Sequence, residues 1–202
     1  MAIPNSSKRI APFPTSTISR EYFGPYLSGF SDGEGCFLLR FKQDHEGRRV
    51  TCNASFDIKL RSDDCGVLSL IQSFWQCGYL YKYREDKRAG QEINGNPFSH
   101  FCVAKIHDLA TVVVPHFERF PLLAKKSRDF AIWKEAVGVM SRVKSRPRRT
   151  RFFKGGSYPR WHSDDINQFA NLVKMLKMQR VYNQPCVEIP KAPIQTFFGD
   201  NF

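Results

Sequence analysis

Hydrophobic and polar positions alternate most cleanly between Thr51 and Leu60. Cys52, Ala54, Phe56, Ile58 and Leu60 interleave there with Thr51, Asn53, Ser55, Asp57 and Lys59. A period of two sends the two sets to opposite sides, which predicts a strand with one buried and one polar face. Cys36 to Lys42 repeats the pattern, with Phe37, Leu39 and Phe41 on one side and Leu38, Arg40 and Lys42 on the other. Asp44 to Gly47 supplies turn residues and Arg48 and Arg49 begin the return, so the two stretches read as an antiparallel hairpin. Just upstream, the apolar run Tyr26 to Ser31 ends in Asp32-Gly33-Glu34-Gly35. Its spacing predicts a helix with Pro25 in the first turn and Glu34 at the exit. A carboxylate there meets the negative end of the helix dipole at a cost of roughly 0.3–1 kcal/mol, which a bound cation offsets.

Further along, Ser62 is expected to cap a helix that carries Asp63 and Asp64 in its first turn. Val67, Leu68, Ile71, Phe74 and Trp75 give that helix an apolar face, and Gly78 should close it. Tyr79 to Arg84 and Phe98 to Ile106 read as a second strand pair, joined by the polar stretch from Glu85 to Pro97. Tyr81, Lys82, Tyr83, Arg84 and Arg88 are candidates for nucleic-acid contact, although the aromatics could equally pack and the pattern leaves the faces unassigned. Arg142 to Arg151 holds six basic residues around Pro147 and predicts a solvated loop. Ser163 opens a last helix with Ile166, Phe169, Val173 and Leu176 on one side. Residues 1–19 and 183–202 read as tails, flexible at the N-terminus and irregular at the C-terminus, around one domain at 20–182. No internal repeat is visible.

Composition narrows the class. The 202 residues hold 31 Lys and Arg against 19 Asp and Glu, a formal charge of +12. That excess favours a polyanionic partner bound through phosphate contacts. No run approaches the ~18 apolar residues of a membrane span, so no membrane partner is expected. Six cysteines form no Cys-x-x-Cys pair and no secretory segment precedes them, which argues for reduced thiols in an intracellular setting, bacterial cytoplasm or organelle. The five histidines have no metal-ligand spacing with one another or with cysteine, and zinc is not expected.

Leu27 to Gly35 (Leu-Ser-Gly-Phe-Ser-Asp-Gly-Glu-Gly) resembles the nine-residue signature of the LAGLIDADG homing endonucleases. The resemblance implies an α+β fold, a saddle-shaped antiparallel sheet backed by helices, with the signature helix at a dimer interface. It implies that Glu34 binds divalent metal, Mg²⁺ with Mn²⁺ or Ca²⁺ as other occupants, and that Asp32 is structural. Leu27, Ser28, Gly29 and Gly33 would form the interface, Gly29 and Gly33 allowing close helix approach; Ser28 stands where the family usually has alanine. Phe120 to Phe130, with Pro121 and Leu122-Leu123 ahead of Lys125-Lys126, is similar to the family's lysine segment and implies that Lys126 is the active-site lysine, with Lys125 its competitor.

The same resemblance gives the polar strand face to double-stranded DNA. The residues implicated are Arg40, Lys42, Thr51, Asn53, Ser55, Asp57 and Lys59, with Arg48 and Arg49 at the hairpin tip; Lys82 and Arg84 add to the DNA-contact candidates from the residue pattern alone. A twisted two-stranded ribbon of this kind fits a major groove. The family's third polar site residue aligns with Leu60, which cannot serve, leaving Asp57 as a substitute. One signature copy implies a homodimer that cuts a long, partly palindromic target by metal-dependent phosphodiester hydrolysis. The alternatives are a maturase that binds intron RNA, and a DNA-binding regulator that does not cut. A basic ribosomal protein would share the charge but neither motif.

Overall fold

The computed structural model describes residues 19–43, 50–83, 97–146, 149–150, 157–158 and 161–180. Arg48, Arg49, Arg84, Arg88, the 85–96 stretch and most of both predicted tails lie outside them. Helix α1 runs Arg20–Glu34, and the Ser19 hydroxyl accepts a hydrogen bond from the Glu21 amide at 3.3 Å. Because Ser19 starts the helix early, Pro25 stands inside it and not in its first turn. Strands β1 (Gly35–Gln43) and β2 (Val50–Arg61) form the expected hairpin, with Phe37 opposite Phe56 and Arg40 opposite Asn53.

Helix α2 (Gly66–Trp75) follows a short 3-10 turn at Ser62–Asp64, so Ser62 and both aspartates precede the helix instead of opening it. Asp63 turns back to Arg61 at 2.7 Å. Gln76, in the left-handed region, caps α2 where Gly78 was expected to. Gly78 has its own constraint: φ is +87°, and a Cβ there would come within 2.6 Å of the Phe101 ring. Strands β3 (Tyr79–Tyr83) and β4 (Phe98–Val103) complete a four-stranded antiparallel sheet in the order β1-β2-β4-β3.

Helix α3 (Ile106–Asp108) continues through a π-helical turn at Leu109–Val113 into α4 (Val114–Arg119). Then come α5 (Lys126–Ser145), the short pair β5 (Arg149–Thr150) and β6 (Ser157–Tyr158), and α6 (Ser163–Gln179). The core lies between one sheet face and the helices. Phe37 packs against Phe56 and Trp133, with ring centres 5.2 Å apart in both cases, and Phe117 and Trp75 extend the cluster. Burying each such side chain contributes roughly 1.5–3 kcal/mol. The Trp133 indole donates to the Ser55 carbonyl at 3.1 Å, which fixes α5 across the sheet.

The arginine-rich run is partly structured. Helix α5 extends through Ser145, and Arg142 and Arg146 both reach Asp165 of α6, itself 4% exposed. The buried acid on a neighbouring helix holds both arginines in place, and the stretch expected to be a loop is helical through Ser145. Hydrogen bonding from Arg146 is the main cause that holds the Asp165 carboxyl below its ordinary 3.8, against its burial.

Candidate active site

Helix α1 divides sharply into two sides. Phe23, Leu27, Ser28 and Ser31 are buried in the chain's own core. The Ser28 hydroxyl donates to the Phe120 carbonyl at 2.6 Å and lies 3.5 Å from His116 Nε2. Leu27 and Ser28 are therefore corrected: they face inward and cannot lie on an exposed interface. Gly29 and Gly33 are on the outer side, where a Cβ would meet nothing within 4 Å. Tyr22, 85% exposed, and Tyr26, stacked on Phe30, share that side.

At the exit of α1 the two acids part company. Asp32 accepts hydrogen bonds from the Leu123 and Ala124 amides at 2.8 and 3.1 Å, tying the helix end to the segment that leads into α5. Glu34 is exposed and has no hydrogen-bond or ion-pair partner among the described residues. Gly35 follows at once, and a Cβ there would lie 2.7 Å from the Ser31 carbonyl oxygen, so only glycine fits the tight helix-to-strand turn.

Lys126 opens α5 and donates from Nζ to the Gly33 carbonyl. Its ammonium thus sits at the negative end of α1, which offsets its unfavourable place at the positive end of its own helix. Lys125 is exposed, so Lys126 is the lysine that meets the α1 end. Burial pulls the Lys126 pKa below the ordinary 10.5, while Cys36, Glu34, Asp32 and Asp129 pull the other way. From the opposite side Arg180, just past α6, donates to Asp129 at 2.9 Å and to the Phe37 carbonyl at 2.6 Å. This tie between the starts of α5 and β1 carried no signal in the sequence, because the partners are 51 and 143 residues apart.

The sheet face away from the core carries Arg40, Lys42, Thr51, Asn53 and Lys59, all exposed, and the half-buried Ser55. Asp57 shares this face but is only 4% exposed. It accepts from Ser55 Oγ at 2.5 Å and pairs with His100 Nε2 at 2.6 Å, with Cys102 opposite it in register. Burial alone would raise its pKa; hydrogen bonds from His100, Ser55 and Cys102 outweigh that and hold it below 3.8. Asp57 is therefore corrected as an exposed DNA contact. Its carboxylate is committed to His100 and Ser55, which also removes it as a stand-in for the third site residue. Leu60 packs against the core.

Lys82 is corrected too. It shares a face with the buried Leu80, two residues before it, and pairs with the buried Ser99, so although exposed it stands on the helix-backed side of the sheet. Tyr79 and Tyr81 occupy the polar face there, with rings 6.3 Å apart. Tyr79, 52% exposed, is the contact candidate that sequence reasoning passed over.

The α1 exit thus presents an exposed carboxylate beside a partly buried ammonium. Its oxygen donors suit a hard cation such as Mg²⁺ or Ca²⁺. Among the described residues no helix is long and apolar enough to cross a membrane.

Residues 27–137 match the family model described as "LAGLIDADG endonuclease". A "Probable intron-encoded endonuclease 2" of Neurospora crassa is 31% identical over 65% of this chain and 27% of its own length. "Homing endonuclease I-ApeII" of Aeropyrum pernix is 30% identical over 60% of this chain and 66% of its own. The chain thus spans about a quarter of the first relative and just under two thirds of the other. Among solved structures, the homing endonuclease I-TnaI aligns with TM-score 0.56 at 21% identity, over 77% of this chain and 94% of its own. The meganuclease I-CpaMI, bound to uncleaved DNA, aligns with TM-score 0.50 at 25% identity, over 60% of this chain and 39% of its own.

Proposed function

The chain belongs to the LAGLIDADG endonuclease family, and from that premise we propose that it is a site-specific homing endonuclease acting as a homodimer on double-stranded DNA. The observation that carries this reading is the unpartnered Glu34 carboxylate at the α1 exit, next to the Lys126 ammonium. Two α1 helices meeting through the open side of Gly29, Gly33, Tyr22 and Tyr26 would bring two Glu34 side chains together. A single signature copy in the sequence supports this two-chain arrangement.

Glu34 of each chain would hold Mg²⁺, which when bound supplies a water of lowered pKa and neutralises the leaving 3′ oxygen. The chain's own groups do the rest. Lys126 offers a fixed positive charge where negative charge develops on the phosphate. Asp32 holds the loop before Lys126 against the α1 end, so carboxylate and ammonium keep their spacing. Arg40 and Lys42 bind phosphates, while Thr51, Asn53, Ser55 and Lys59 offer donors and acceptors to base edges in a major groove.

A randomised DNA library incubated with the protein in Mg²⁺ tests the reading by sequencing of the ends. Double-strand breaks at one long, partly symmetric site are expected. Site-specific binding without breaks would instead make the protein a regulator, and preference for intron RNA would make it a maturase.

A further inference from the structure

We propose that Asp57, His100 and Cys102 form a binding site for a thiophilic divalent cation, Zn²⁺ by its chemistry, set in the polar face of the sheet and using none of the Asp32, Glu34 and Lys126 groups. His100 and Cys102 are two apart on β4 and so share a face, and Asp57 of β2 stands directly opposite Cys102. One donor atom from each residue lies within 4.8 Å of the other two. The triad joins an imidazole nitrogen, a carboxylate oxygen and a thiol sulfur. That mixture suits zinc and excludes Mg²⁺ and Ca²⁺, which require oxygen shells.

The geometry is close to what the ion needs. Bonds of about 2.0–2.3 Å put tetrahedral donors roughly 3.3–3.6 Å apart. Asp57 Oδ1 and His100 Nε2, now 2.6 Å apart, would open slightly to admit an ion, with the sulfur within 4.8 Å of both. Ser55 binds the other carboxylate oxygen, Oδ2, and so leaves Oδ1 for the metal while fixing the carboxylate plane. Buried acids require positive partners. A cation would supply one whether or not His100 is protonated. On binding, the Cys102 thiol would lose its proton to solvent and His100 Nε2 would give up the proton it shares with Asp57, to solvent from an imidazolium or to Nδ1 from a neutral ring, with a water completing the fourth position. The ion would then join β2 to β4 in mid-sheet.

Cobalt is the probe. The full chain, stripped with EDTA and dialysed, is titrated with Co²⁺ in the absence of DNA and its absorption recorded. The expected result is one equivalent per chain with a thiolate-to-cobalt charge-transfer band, displaced by Zn²⁺ and not by Mg²⁺, and a Tm raised by Zn²⁺. Cys102→Ser should abolish the band, and His100→Ala should weaken binding by about 100-fold or more. Cys36→Ser, which alters the other thiol next to Asp57, should keep it, as should Glu34→Gln, so the result stands or falls apart from cleavage. Absence of the band in the wild-type chain, or its persistence in Cys102→Ser, overturns the proposal and leaves the triad a hydrogen-bonded network only.

Discussion

The corner of Asp32, Glu34 and Lys126 and the cluster of Asp57, His100 and Cys102 both pair acids with a nitrogen base, yet they are built in opposite ways. The corner is held through the backbone: Asp32 accepts amides from the next segment, and Lys126 donates to a helix-end carbonyl. Those ties spend the neighbours of Glu34 and leave its own carboxylate facing solvent. The cluster is held side chain to side chain across two strands, and its acid is buried. Exposed oxygen donors suit a hard, water-keeping ion and a substrate that arrives from outside. Mixed nitrogen, oxygen and sulfur donors around a buried acid suit a thiophilic ion. Where a polar group sits and what satisfies it therefore decide its use more than its residue type does.

Substitutions can break this contrast or sharpen it. Lys126→Met removes the corner's positive charge, and single-turnover cleavage should fall by about 100-fold with little change in DNA affinity. Next come the two acids compared by urea denaturation. Asp57→Ala removes the buried carboxylate that half-buried His100 and Ser55 both bond and should cost about 1–3 kcal/mol, whereas Asp32→Ala, half exposed, should cost about 0.5–1.5 kcal/mol. Equal losses would erase the distinction between a buried and a solvent-facing cluster.

The ordering of these sites was only partly legible in the sequence. The hairpin faces and the helix exit followed from local periodicity, because every relevant neighbour is within a few residues. Leu27 and Ser28 could not be oriented, since the side of α1 that packs inward is set by Phe120 and His116, about 90 residues on. Asp57 looked like any other member of the polar face until β4 placed His100 and Cys102 beside it. His100-x-Cys102 is unremarkable as a string, and only strand pairing adds the third donor. Lys82 lies in Tyr-Leu-Tyr-Lys-Tyr, where aromatics could fill either side, so its parity had no reading.

Smaller effects mark the edges of the same picture. Asp165, paired with Arg146 and Arg142, has a lowered pKa, so its contribution to stability is present above the ordinary 3.8 and is lost as pH falls through its lower folded value. Acid melting curves should therefore fall less steeply for Asp165→Asn than for the wild type, with Asp57 adding to the wild-type slope in the same sense. Arg40→Ala should weaken DNA binding about equally across sequences and reduce the salt slope by about 1, as measured by filter binding over a salt series.

The central claim is that Glu34 holds the metal that cuts. Once a target is in hand, cleavage by Glu34→Gln and wild type in saturating Mg²⁺ tests it most directly. The account predicts a rate at least about 100-fold lower for the variant, with unchanged Tm and DNA affinity. Cutting at the wild-type rate by Glu34→Gln would contradict it.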